Sequence, residues 1–154
     1  MTYWVEHRRT VHRIGKPVFV PLEEIAGKHG FQSVYAFDAA LVEVLLQQGS
    51  VANIKNAPVY SDVLFIDFDD RTGIDECRNM LRDEGVSYCL FDTGHRGAHF
   101  EICIVPMYGR MVPQSQAAWA VKHLVGSYDV TVWRHSSVIR LEGTWHEKHP
   151  GHRK

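Results

Sequence analysis

Two aspartates separated by one residue close the apolar run "VLFIDFDD", Asp67 and Asp69. Residues i and i+2 of a strand share a face, so this pair would present converging carboxylates while Leu64, Ile66 and Phe68 face packed helices. Clustered carboxylates repel one another, and a hard divalent cation relieves the repulsion. Mg²⁺ or Mn²⁺ in such a place shares its oxygen shell between carboxylates, water and substrate phosphates, and two ions can clamp the attacking and leaving oxygens of a phosphoryl transfer. A single aspartate at a strand end is an ordinary solvated residue, the expectation for Asp62, Asp70, Asp75 and Asp92. Only a cluster points to a cation.

A second polar group lies in "TGHRGAH", residues 93–99, between the apolar runs "SYCLF" and "FEICIV". A tight turn needs only Gly94 and Gly97, which also allow close backbone approach to a ligand. Arg96 adds a planar fork of donors and His99 a donor at the start of the next strand, a combination suited to phosphate oxygens. Taken alone, a Gly-x-x-Gly pair is a turn and a strand histidine is structural. A third cationic set closes the chain in "IRLEGTWHEKHPGHRK", with Arg140, Thr144, His146 and Lys148. Arg140 in a strand is costly unless it reaches an open sheet face. His146, His149 and His152 offer zinc nitrogens, but without thiol partners or fixed spacing, and His149 onward reads as a solvated tail.

The elements that would position these groups follow from periodicity. "KPVFVP" reads as a short extended piece and "PLEEIAGKHG" as a brief helix closed by Gly30. Ser33 reads as the N-cap of a helix over "VYAFDAALVEVLLQQG" that stops at Gly49. "VLFIDF" is a strand, and "GIDECRNMLRDEG" a helix with Ile74, Cys77 and Leu81 on one face and Gly85 as its stop. "VSYCLF" and "AHFEICIV" are strands flanking the glycine turn. "PQSQAAWAVKHLVG" is a helix opened by Pro113, and "DVTVW" and "SVIRLE" are a final strand pair.

In order this is an α+β, ferredoxin-like (RRM-like) βαββαβ sheet with an extra strand and an N-terminal αβ extension. The spatial order 4-1-3-2 places the first strand between the third and fourth, antiparallel to both. His99 and Asp129, which open those two strands, should then fall beside Asp67 and Asp69, so that the three carboxylates form a cation site with His99 next to it. Were the last strands elsewhere, Asp70 or Glu101 would be the third carboxylate.

The 154 residues, 45% hydrophobic and 23% charged, suit one domain, divided into an N-terminal αβ region over residues 1–60, a catalytic core over 61–148 and a tail over 149–154. A net charge of −1 excludes a broadly basic coat for nucleic acid but permits a local patch. No apolar run approaches the roughly 20 residues of a membrane span and the start lacks a signal-peptide core, so no membrane partner and a cytoplasmic location are expected, or host cytoplasm for a viral or plasmid chain. Cys77, Cys89 and Cys103 show no CxxC spacing and read as buried reduced thiols, although Cys89 and Cys103 could face each other across the hairpin.

Together these motifs resemble the archaeo-eukaryotic primase superfamily of primase-polymerases: an Asp-x-Asp after an apolar strand, a Ser-Gly-x-x-Gly-x-His hairpin, and a later carboxylate followed by an arginine and a lysine. The resemblance covers about residues 60–148, with Thr93 in the serine position and Asp129 in "YDV" as the later carboxylate. It implies DNA-templated nucleotidyl transfer with Mg²⁺ or Mn²⁺ at Asp67, Asp69 and Asp129. A nucleoside triphosphate, NTP or dNTP, would lie against Thr93, Gly94, Arg96, Gly97, His99, Arg140, Thr144, His146 and Lys148. Single-stranded DNA or a primer-template is the implied second substrate, and a helicase or accessory primase subunit the implied partner. Arg8, Arg9, Arg13 and Arg110 are candidates for template contact.

Two other readings use the same residues. A non-catalytic nucleic-acid-binding accessory or initiator module would carry stacking aromatics on the sheet face, where this chain has Asp67, Asp69, His99 and Glu101. A metal-dependent nuclease needs the carboxylates but not Arg96, Arg140 and Lys148.

Overall fold

Alternation along Val63–Phe68 sets the layout, because both faces of that strand are covered. In the computed structural model, residues 2–49, 54, 57–61, 63–69, 71–92, 96–103, 112–113 and 137–144 are described. They form an α+β fold with antiparallel sheets and few helices. Strands β1 (Tyr3–Arg8), β2 (Val18–Pro21), β3 (Phe31–Ser33) and β4 (Phe37–Asp38) precede helix α1 (Ala39–Gln47). Then come β5 (Tyr60–Ser61), β6 (Val63–Phe68), α2 (Ile74–Asp83), β7 (Cys89–Asp92), β8 (Ala98–Cys103), β9 (Val112–Pro113) and β10 (Val138–Arg140). A 3₁₀ turn spans Leu22–Glu24.

One sheet runs β10-β3-β1-β2, with β4 also on β1, and a second runs β6-β8-β7. On one face of the second sheet Leu64, Ile66 and Phe68, with Ala98, Phe100 and Ile102, pack on Ile74, Cys77 and Leu81 of α2. That is the face expected from the alternation and from the 3.6-residue repeat of the helix. α2 ends as expected, with Gly85 at φ 68° and the Val86 amide donating back to the Leu81 carbonyl at 2.8 Å.

The other face is not open. Phe65 packs with Val34, Tyr35, Phe37, Val42, Leu45 and Ile139 from the first sheet and α1, so the polar residues beside it lie between two layers. The run 34–37 explains a further difference from expectation. Val34, Tyr35, Ala36 and Phe37 are all buried, which one helical face cannot achieve; Val34 and Tyr35 form a bend after β3, Ala36 bridges to Tyr60, Phe37 opens β4, and α1 starts only at Ala39. Its N-cap is Asp38, whose carboxylate accepts from the Leu41 amide at 3.1 Å. Ser33 lies in β3, accepting from the Glu6 amide at 3.0 Å and donating to the Tyr35 carbonyl at 2.7 Å.

Three other expectations change. Pro113, read as a helix opener, pairs with Tyr60 in the β5–β9 ladder, where a short strand at a sheet edge tolerates a residue without an N–H. β10 pairs with β3, so the first sheet takes strands from both sides of residue 60. Cys89 is exposed and stands opposite Glu101, whereas Cys103 stands opposite Val63, so the two cysteines are not directly opposed across the hairpin. The rest of the expected helix 113–126 and the strand "DVTVW" lie outside the described residues. Among the described residues no helix is long and apolar enough to cross a membrane.

Candidate functional site between the two sheets

The β6–β8 ladder places Asp67 directly opposite His99, and the β7–β8 ladder places Phe91 opposite His99. Directly opposed residues point to the same side. The next row on that side is Phe65, Glu101 and Cys89. α2 lies between β6 and β7, and five residues separate β7 from β8, so local connections are enough to bring these positions together.

His99 is 2% exposed. Its ring stands edge-on to Phe65 at a centroid distance of 6.2 Å and tilted against Phe91 at 5.2 Å. Nε2 lies 2.8 Å from Oε1 of Glu101. An ionised carboxylate only accepts, so Nε2 carries the proton and the pair fixes the orientation of the ring.

Arg140 reaches the site from the other sheet. Burial draws its guanidinium below the ordinary value, and the Asp67 carboxylate pulls in the opposite direction by favouring the charge. Arg140 and Glu101 both line a cleft of about 550 Å³, together with Leu22, Ile25, Lys28, His29, Gln32, Phe65, Phe91, Ile139 and Leu141. The cleft wall therefore includes the two residues that engage Asp67 and His99. Apolar walls with a few converging charges are the usual composition of a small-molecule site.

The other expected site residues have varied placements. Asp69 follows the last residue of β6 and is exposed; Arg96 is exposed at the hairpin, and Gly97 is buried. The Thr144 hydroxyl accepts from the Gly30 amide at 2.7 Å, tying the segment after β10 to the start of β3. Thr93, Gly94, Asp129, His146 and Lys148 lie outside the described residues. Among the described residues, no group of three or more His, Cys, Asp or Glu side chains is gathered as for a metal ion.

Two sets escape the motif reading. Lys28 and His29 line the cleft from a segment bounded by Gly27 and Gly30, both at positive φ; the glycines of "AGKHG" were the available signal. Glu6 is 3% exposed and receives two arginine forks. Arg8 donates to it at 2.9 and 3.0 Å, and Arg13 at 2.6 and 2.8 Å. Burial pushes the Glu6 carboxyl up, but the hydrogen bonds and charges of Arg13 and Arg8 outweigh it and hold it below the ordinary value. Glu6 and Arg8 at i, i+2 are visible in the sequence as a same-face pair; Arg13 is not.

The chain matches no protein-family profile, no curated protein and no solved structure.

Proposed function

We propose that the chain is a DNA-templated nucleotidyltransferase of primase-polymerase type, built on an RRM-like βαββαβ core to which β6, α2, β7 and β8 belong. The observation that carries this reading is the direct pairing of Asp67 with His99, with the Asp67 charge felt by Arg140 and His99 held by Glu101, two residues that line a cleft of about 550 Å³. It is the juxtaposition of acid, histidine and arginine that the motif resemblance implies.

Asp67 and Asp69 offer hard oxygen donors two residues apart, a donor set that fits Mg²⁺ or Mn²⁺. Bound there, the ion supplies Lewis-acid stabilisation to phosphate oxygens. Arg140 and Arg96 would neutralise the triphosphate, and His99, its ring held by Glu101 through Nε2, would donate from its second ring nitrogen to a phosphate oxygen only as the doubly protonated imidazolium that a phosphate charge favours. The primer 3′-hydroxyl would lose its proton to water as its oxygen forms a bond to the α-phosphorus, the α–β phosphoanhydride bond breaks, and pyrophosphate leaves with the bonding pair.

The test is incubation with single-stranded template, Mg²⁺ or Mn²⁺, and each labelled nucleotide pool. The expected result is a template-dependent product ladder that Asp67→Asn abolishes without loss of fold. Absence of product with the unmodified protein, or near-normal synthesis by Asp67→Asn, would sink the reading. A non-catalytic nucleic-acid-binding module is the alternative, favoured by Arg140, whose positive charge acts on Asp67.

A further inference from the structure

None of residues 9–17, the loop of the hairpin joining β1 and β2, lines the cleft described above. From His7 to Leu22 there is no acidic residue, whereas Arg8, Arg9, Arg13 and Lys16 fall within it, in a chain of net charge −1. Arg8 and Arg13 converge on Glu6, so this carboxylate neutralises one of the two. No acidic side chain among the described residues pairs with Arg9 or Lys16. Both are exposed, as are His12 and Arg13. Between them Ile14 is 81% exposed, the largest exposure among the large hydrophobics described.

This loop is held in shape. Arg8 donates from Nη1 to the Val11 carbonyl at 3.1 Å, and the Thr10 hydroxyl donates to the His12 carbonyl at 2.8 Å. The Arg13 fork on buried Glu6 draws the loop back onto β1. Its stem also adjoins the cleft: Nε2 of His7 lies 2.7 Å from the carbonyl of His29, which lines the cleft wall.

We propose that the β1–β2 hairpin is a nucleic-acid-binding arm, with Arg9 and Lys16 on the phosphodiester backbone of a single strand and Ile14 against a base. Phosphates require local positive charge in an otherwise near-neutral protein, and an exposed apolar tip flanked by cations suits the face of an unpaired base. The ordering of the loop in advance reduces the conformational entropy lost on binding. The inference deepens the reading above, which requires a strand to be held near the cleft, but it is tested apart from catalysis.

The experiment is fluorescence anisotropy of labelled oligodeoxyuridylate and, in a second arm, oligouridylate, without metal or nucleotide, across a salt series. Arg9→Ala/Lys16→Ala should weaken binding by about ten- to a hundredfold. It should also lower the slope of log K against log salt by roughly 1.4, about 0.7 for each phosphate no longer neutralised. Ile14→Ser should weaken binding several-fold at unchanged slope. Arg82→Ala, removing an exposed cation of α2, should change neither. The arm giving the tighter complex identifies the sugar of the strand. Failure of the unmodified protein to bind either strand at low salt would overturn the proposal, as would unchanged affinity and slope in the double variant, or an equal loss in Arg82→Ala. Synthesis measured in parallel separates the two readings. Hairpin-dependent binding without synthesis refutes only the enzymatic reading, and synthesis by the double variant at unaltered strand affinity refutes only the arm.

Discussion

Replacing Glu6 by Gln isolates the ion-pair cluster that anchors the hairpin. The carboxylate is 3% exposed and accepts four charge-assisted hydrogen bonds, two from each arginine. Removing one partner of a buried ion pair costs about 3–5 kcal/mol, because the remaining charge is stranded. Here the Arg13 side chain is 37% exposed and can rehydrate, whereas that of Arg8 is 11% exposed and cannot do so readily. The lower end, about 3 kcal/mol, is therefore expected. For a chain of this size that is a fall in Tm of roughly 6–12 °C.

The effect should depend on pH. The folded Glu6 carboxyl lies below its ordinary value, so its contribution is complete above the unfolded value and is lost as pH falls through the folded one. Thermal melts followed by circular dichroism should show a constant gap between the two proteins near neutrality. That gap should close under acid conditions below the usual carboxylate range. A difference under about 2 °C at neutral pH, or one undiminished by acid, would refute the anchoring role.

Gly30→Ala should destabilise by about 3 kcal/mol, since φ is +111° and a Cβ would lie 2.2 Å from the Arg8 carbonyl oxygen; a lower urea midpoint at unchanged m-value checks this. Phe100→Ala, at a fully buried position between α2 and the sheet, should cost about 3–5 kcal/mol in the same assay. Burial, with the Glu76 charge, pushes the Cys77 thiol up to about 11, so at neutral pH iodoacetamide should modify exposed Cys89 and spare Cys77. Peptide mass spectrometry of the native protein reads both, and equal labelling would contradict the burial of Cys77.

Local pattern determined the regions of this protein whose partners are near in sequence. The alternation of Val63–Phe68, the helical repeat of Ile74, Cys77 and Leu81, and the glycine ending α2 specify a strand and a helix without reference to the rest of the chain. Short connections then leave few ways to arrange β6, β7 and β8. Asp67 and His99 therefore meet as the residue order suggests. Tertiary structure decided the rest, because strand pairing and burial depend on which distant surface arrives. Val34–Phe37 could begin a helix by pattern but instead bend from β3 into β4, with Val34, Tyr35 and Phe37 buried in the cluster that holds Phe65. Arg140 could have reached the β6 sheet through a strand of its own; instead β10 pairs with β3, and the charges of Arg140 and Asp67 act on each other from different sheets. Arg8 and Arg13 look like free surface cations in the sequence, and only the fold brings both onto one buried carboxylate, leaving Arg9 and Lys16 exposed on the hairpin.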